Sequence, residues 1–381
     1  MLHLIDNLSA NGGAQQSIAQ LAVALGRRGV DFQLAVLDEE PAAGPAPMLE
    51  SEGVSVVSVG GPGGRLADVV RLRKLVRHER PDLLHTSLHS ANLVGRFAGA
   101  LAGVPVVTSI VSTKSDAGRA HRSKWSGRVK GVMSRAVARF TCRLVRRFHA
   151  VSPSAAAHVI DEFGVGADRV DIISRGRDRT RLGERSDARR QAVRAALGLS
   201  ADDVVILAVG RHTPEKGFEV LVDALPSIIG RSPTAVLLIA GSNGLATSGM
   251  QVAIAALALG ERVRLLGHRD DLGDLHSAAD VFVLSSRVEG MPGALLEALA
   301  MGTPVVVTDI GPALDVVDAE CALIVPVGSA AALADAVVAC IADPAATAAR
   351  VAAGSRRFDD AFDIDAVAAQ MQMFYERALG R

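Results

Sequence analysis

The chain of 381 residues is 49% apolar and 22% charged, which suits a soluble globular protein of two domains at roughly 150 residues each. Aromatic residues make up only 3%, too few for a base-stacking surface, and the single cysteines Cys142, Cys321 and Cys340 support neither a disulfide framework nor a zinc site. Met1 to Ile5 reads as a strand rather than a basic leader, and no apolar run is long enough to span a bilayer. A cytoplasmic setting is expected.

Strands alternating with amphipathic helices run through the first half, the pattern of parallel α/β sheets. The strand-like runs are Leu2–Ile5, Phe32–Leu37, Val54–Val59, Leu83–His85, Val106–Ile110 and Phe148–Val151, and Ile172-Ile173 ends the series. Asn11-Gly12-Gly13 joins the first strand to a helix over Ala14–Arg28. Paired glycines let backbone amides approach a ligand, and the helix start favours an anion. A nicotinamide-type G-x-G-x-x-G is not spelled there. A second helix covers Ala91–Ala102.

The segment from Lys114 to Arg147 holds eleven basic residues against one acid, Asp116. Trp125, Val129, Val132, Ala136, Phe140 and Leu144 recur at helical spacing, with Arg128, Arg135, Arg139, Arg143 and Arg146 on another face. Such a helix either lies on an anionic lipid surface or turns its apolar side into the domain. The segment dominates a charge split: residues 1–200 carry 29 Lys+Arg against 18 Asp+Glu, a balance of +11, and the rest carry 12 against 23, a balance of −11. No nucleic-acid recognition motif accompanies the positive charge.

The polar, Arg-rich stretch from Arg175 to Arg190 reads as a linker. Strands then resume at Val204–Val209, Ala235–Ala240, Val263–Leu266, Val281–Leu284, Val305–Val307 and Leu323–Val325, and an amphipathic helix over Ile364–Leu379 closes the chain. The ligand cleft of doubly wound domains is expected outside the carboxyl ends of the strands. Gly210 to Gly217 follows one strand and brings Arg211 and Lys216, two cations suited to a departing diphosphate. Glu289 to Glu297 follows another. There Pro292 suits a first helical position, and Gly290 and Gly293 leave amides open to a ligand. Glu289 can accept hydrogen bonds from hydroxyls, and Glu297 lies early in the helix, where the dipole alone would favour it. Thr308 to Pro312 is a further turn at the same edge. Asp363-Ile364-Asp365 opens the terminal helix, away from these loops, and reads as capping rather than as a metal site.

These residues resemble the retaining GT-B glycosyltransferases of family 4. Ala208-Val209-Gly210-Arg211 with Glu215-Lys216-Gly217 looks like the donor-phosphate loop of that family. Glu289 through Glu297 is similar to its E-x(7)-E motif, continued by Ala298 to Val306. Ala150-Val151-Ser152 and Gly176-Arg177-Asp178 are weaker landmarks.

The resemblance implies two doubly wound Rossmann-like domains facing across a cleft. Residues 1–180 would bind the acceptor and residues 181–361 the nucleotide-sugar donor, with the helix at 362–381 packing back on the first domain. It implies that Arg211 and Lys216 hold the diphosphate, Glu289 the donor-sugar hydroxyls and Glu297 the ribose. Amides of Gly290, Met291 and Gly293 would line sugar and phosphate, Gly267-His268-Arg269 would meet the base, and Gly12 and Gly13 would close over the phosphates. Front-side transfer, in which the leaving phosphate assists deprotonation of the acceptor, requires neither metal nor cofactor. A UDP-sugar donor and a lipid-linked or polysaccharide-precursor acceptor are expected, with a small-molecule acceptor as the alternative.

Two positions depart from the family pattern. Val111 stands where a His is frequent, and Arg175 where an Asn precedes the glycine. His85 and His89 are the substitutes considered on the acceptor side. A sugar-nucleotide epimerase on the same scaffold and a catalytically silent, nucleotide-binding or membrane-docking partner of a glycan assembly complex remain alternatives.

Overall fold

The computed structural model of the protein describes residues 1–8, 13–38, 44–111 and 136–381. It divides into two compact units, Met1–Gly176 with Ile364–Arg381, and Arg177–Asp363. Each is built on one all-parallel sheet.

The first sheet contains β1 (Leu2–Ile5), β2 (Gln33–Val36), β3 (Ser55–Ser58), β4 (Leu84–Ser87), β5 (Val106–Ile110), β6 (Arg147–Ala150) and β7 (Val170–Ile172). Their order is β3-β2-β1-β4-β5-β6-β7. The second contains β8 (Val204–Val209), β9 (Ala235–Ala240), β10 (Val263–Gly267), β11 (Val281–Leu284), β12 (Val305–Thr308) and β13 (Leu323–Val325), ordered β10-β9-β8-β11-β12-β13. Central strands such as β9 are buried along their whole length, because helices on both faces of a parallel sheet exclude water from either side.

The first unit includes the helices α1 (Gly13–Arg27), α2 (Ala46–Ser51), α3 (Gly64–Glu79) and α4 (His89–Ala102). Close seating of α4 depends on Gly95 and Gly99, where an added Cβ would come within 2.3 Å of Thr86 Cγ2 and of Val106 Cγ2 respectively. The C-terminal helix Ile364–Leu379 buries Phe374, Met371 and Val367 in the same core as α1. Among the described residues no single helix is long and apolar enough to cross a membrane.

The stretch expected as a linker is folded. It holds the helices Arg179–Leu182 and Asp187–Ala196. Arg190 and Arg194 donate to the two carboxylate oxygens of Asp280 at 2.5 and 2.8 Å, and Arg194 is buried. Arginine density reads as solvation in a sequence, whereas here the guanidinium forks tie the helix to the sheet. The break between units falls at 176/177 and 363/364, not 180/181 and 361/362, since the Arg177 amide donates to the Phe362 carbonyl inside the second unit.

Residues 114–135 of the basic segment, including Trp125, lie outside the described residues. In the remainder, Thr141, Cys142 and Val145 are buried while Phe140 is 58% exposed. Phe140 is therefore not part of an inward-facing apolar stripe.

Candidate functional site

In the second sheet the strand order reverses between β8 and β11, the position at which open α/β sheets bind ligands. The loops leaving these two strands are 210–217 and 285–292, so the topology itself brings together the residues singled out in both. Lys216 Nζ donates to Glu289 Oε1 at 2.7 Å, and Ser286 Oγ donates to the same oxygen at 2.7 Å. The Lys216 side chain is 22% exposed and that of Glu289 11%, so the pair is largely buried but still reached by solvent. Gly210 makes room for the lysine: an added Cβ would lie 2.8 Å from Lys216 Cε, at a φ of +156°.

Further bonds fix both loops. Ser285 Oγ donates to the Lys216 carbonyl at 2.9 Å and the Arg287 amide to the Glu215 carbonyl at 2.7 Å. From the end of β12, Thr308 Oγ1 donates to the Ser286 carbonyl at 2.5 Å. Arg211 is exposed at the same edge, and its guanidinium makes no ion pair among the described residues.

Glu297 lies in the second turn of the helix Gly293–Ala300. It accepts a 2.8 Å bond from Arg177 Nε, and Arg177 is only 3% exposed. Arg177, noted in the sequence only as part of a weak landmark, is thus the residue that holds Glu297. Its guanidinium also passes over the helix start, where a Gly293 Cβ would fall 1.9 Å from Nη2. Pro292 is the N-cap, with ψ of 99°, rather than the first helical residue. The Leu295 amide already donates to the Pro292 carbonyl at 3.1 Å, which leaves the amides of Gly293 and Ala294 as the ones without an intrahelical acceptor. Met291 is buried beside them.

The neighbouring strand ends complete the edge. Gly267, at φ +69°, accepts a 2.7 Å bond from the Gly241 amide, and a Cβ on Gly241 would strike the Gly210 carbonyl oxygen at 1.8 Å. His268 pairs with Asp270 at 3.1 Å and Arg269 with Asp271, so both side chains have local partners. The hydrogen bond from Arg269 holds the Asp271 carboxyl below its ordinary range. The loop Gly241-Ser242-Asn243-Gly244 was not anticipated as part of the site. Its two glycines after a fully buried strand were the available signal. The His212 amide donates to the Ser242 carbonyl of this loop at 3.0 Å, and its ring Nδ1 lies 3.1 Å from Oγ1 of Thr247 just beyond it.

In the first sheet the reversal lies between β1 and β4. Asp6 follows β1, and its carboxylate accepts from the amides of Ala91 at 2.6 Å and Ser90 at 3.3 Å, at the start of α4. Burial raises its pKa against the opposing effect of those amides. Leu88 adopts φ +77° between β4 and α4, and His89 opens α4 on the exposed side. His85 is elsewhere. It is 1% exposed, with Nδ1 2.9 Å from Tyr375 Oη and Nε2 2.7 Å from Ser109 Oγ. Both ring nitrogens are engaged, which makes His85 a structural histidine joining the terminal helix to the sheet.

Ser109 also meets His149, at 2.7 Å, and His3 stacks on His85 at 4.0 Å. His3, Ser109, Val111, His149 and Arg175 line a cavity of about 30 Å³. The two departures from the family pattern touch each other there, because Arg175 Nη2 donates to the Val111 carbonyl at 3.2 Å. Gly13 begins α1 with no atom within 4 Å of an added Cβ, and Gly12 lies outside the described residues.

The family model described as "Glycosyl transferases group 1" matches residues 203–343, and "Glycosyl transferase 4-like domain" matches residues 12–176. The chain is 30% identical over 250 residues to the UDP-Gal:alpha-D-GlcNAc-diphosphoundecaprenol alpha-1,3-galactosyltransferase of Escherichia coli, covering 64% of this chain and 62% of that one. It therefore spans less than two thirds of that relative. It is 28% identical over 325 residues to the D-inositol 3-phosphate glycosyltransferase of Rhodococcus opacus (strain B4), covering 79% and 71%.

Among solved structures, Anabaena HepE in complex with UDP superposes with a TM-score of 0.83 at 22% identity, covering 99% of both chains. WaaG, a glycosyltransferase involved in lipopolysaccharide biosynthesis, superposes at 0.74 and 16%, covering 97% and 98%. At such identities the likeness concerns the fold, which is GT-B. These relatives are transferases, which does not favour the epimerase alternative. Two family models that together cover most of the chain, and two doubly wound sheets of GT-B type, establish that the chain belongs to the group 1 glycosyltransferases.

Proposed function

We propose that the protein is a retaining, metal-independent hexosyltransferase that moves a sugar from a UDP-sugar to a hydroxyl of a lipid-linked or polysaccharide-precursor glycan. The observation that carries this reading is the convergence of Lys216 and Glu289 at the reversal of the second sheet, 2.7 Å apart. Lys216 and Arg211 neutralise the diphosphate as it leaves, the charge change at which preorganised cations act most strongly. Without a metal, these two side chains and the first-turn amides of Gly293–Ala300 supply the positive potential. Glu289 accepts from donor-sugar hydroxyls while retaining Ser286. Glu297, oriented by Arg177, takes the ribose. Backbone at Gly290, Met291 and Gly293 lines the sugar, and the turn Gly267-His268-Arg269 faces the base.

On the acceptor side His89 remains the candidate, since His85 is enclosed. The diphosphate-linked acceptor named for the E. coli relative and the basic balance of residues 1–200 support a lipid-linked acceptor on the cytoplasmic membrane face, with the segment 114–147 toward anionic lipid. Reduced cysteines fit that compartment.

The test is a thermal-shift series with UDP, GDP and ADP and their sugar conjugates, with magnesium or EDTA, followed by anomeric analysis of product. Stabilisation by uridine nucleotides that persists in EDTA and disappears in Lys216→Ala is expected. An EDTA-sensitive shift would end the metal-independent reading, and an anomerically inverted product the retaining one.

A further inference from the structure

We propose that His212 is a positioning residue for the transfer reaction. It fixes the backbone from which Arg211 reaches the leaving diphosphate, by tying the loop 210–217 to the loop that follows β9. This inference rests on the role given to Arg211 under the proposed function. Lys216 is steered by its own contacts, since Glu289 accepts from its Nζ at 2.7 Å and Gly210 clears its path. Arg211 has no such guide. Its side chain is exposed and makes no ion pair among the described residues, so the reach of the guanidinium is set by where its backbone is held.

The next residue supplies that hold. His212 is fully enclosed, at 0% exposure. Its amide donates to the Ser242 carbonyl at 3.0 Å and its carbonyl accepts from the Ala246 amide at 2.9 Å. Ring Nδ1 lies 3.1 Å from Thr247 Oγ1, an oxygen that also accepts from the Gly244 amide at 2.8 Å. The ring meets Phe218, the first residue of the helix Phe218–Arg231, edge-on at 6.0 Å between centroids. The Thr213 amide donates to the Arg211 carbonyl at 2.7 Å, closing a three-residue turn with His212 at its centre. A displacement of His212 therefore moves Arg211 directly.

Packing alone does not account for a histidine at this position. Nε2 is buried without a hydrogen-bond partner among the described residues. An orphaned buried nitrogen is destabilising, and an aliphatic side chain would fill the space without one. What the imidazole adds is the contact at Nδ1, which reaches Thr247 across 35 residues of chain. The two loops run close: a Cβ added to Gly244 would lie 2.5 Å from the His212 carbonyl oxygen.

The experiment compares the affinities of the full chain for UDP and for UMP, which lacks the second phosphate. The variants are Arg211→Ala, His212→Leu, His212→Asn and Gly244→Ala, and Arg211→Ala combined with His212→Leu. Misplacing one cation is expected to lower UDP affinity about tenfold in His212→Leu, with UMP affinity kept within about twofold. His212→Asn restores a polar atom at the level of Nδ1 and is expected to recover most of the loss. Added to Arg211→Ala, His212→Leu is expected to cost at most about twofold more, because the cation it places is already gone.

A melting temperature equal to that of the wild type verifies that His212→Leu folds. If it melts earlier, Gly244→Ala carries the same test, since it displaces the His212 carbonyl and leaves the ring in place. Equal losses of UDP and UMP affinity would overturn the proposal, and so would an undiminished further loss from His212→Leu in the Arg211→Ala chain. A wild type that does not bind UDP, or an Arg211→Ala variant that binds it normally, would fail the donor-site reading itself and this inference with it.

Discussion

Lys216 Nζ and Glu289 Oε1 stand 2.7 Å apart although 73 residues separate them in the chain. The two loops meet because β8 and β11 are neighbours at the point where the sheet reverses its order. Under the proposed function, a diphosphate entering here would exchange one carboxylate partner of the lysine for stronger ones, and a sugar hydroxyl would take up the acceptor capacity released on Glu289.

Lys216→Ala is expected to lower kcat about 100-fold or more, because it removes a charge directed at the leaving group. Arg211→Ala is expected to act in the same direction. Turnover of a verified donor and acceptor pair measures both. Wild-type rates in Lys216→Ala would remove this lysine from the site.

Gly210→Ala tests the space that the lysine occupies. The new Cβ would lie 2.8 Å from Lys216 Cε, at a φ of +156°. Loss of about tenfold in kcat with about 1 kcal/mol of destabilisation is expected. A variant as active as the wild type would show that Nζ works from another position.

Arg177→Ala leaves the Glu297 carboxylate, 13% exposed, without its guanidinium partner. Breaking a largely buried pair in this way is expected to cost about 3 kcal/mol, read as a lower denaturant midpoint for the second unit. Weaker uridine-nucleotide binding should accompany it, since Glu297 loses its orientation. Undiminished stability and affinity would make the pair incidental.

Four buried histidines make stability fall with acid. Burial lowers His3 to about 3, His149 to about 4 and His276 to about 3, and holds His85 well below its ordinary value. Their folded values lie below the unfolded one, so the unfolded chain binds more protons. The stability they contribute is complete above about pH 6.5 and is lost as pH falls toward the folded values. A decrease of about 1 kcal/mol per histidine is expected between about pH 7.5 and about pH 5.5, measured by urea unfolding. A midpoint that is constant over this range would contradict the neutral, enclosed state of these rings.

The apolar runs were enough to place thirteen strands and the closing helix Ile364–Leu379, because interior strands covered on both faces, such as β9, are written as consecutive apolar residues. The glycine-bearing loops at Gly210–Gly217 and Glu289–Gly293 were equally legible, since their glycines mark where backbone or a side chain passes close. Partners distant in sequence were not legible. Arg177 reached Glu297 across 120 residues, and Arg190 and Arg194 turned an apparent linker into a docked helix by sharing Asp280. His85 ends a strand-like run and reads as an acceptor-side candidate, but its ring is enclosed between Ser109 and Tyr375, the latter 290 residues away. Periodicity and turn chemistry are local and survive in a one-dimensional string. Which charge meets which, and which ring is enclosed, depends on strand order and helix packing, and only the tertiary structure decides those.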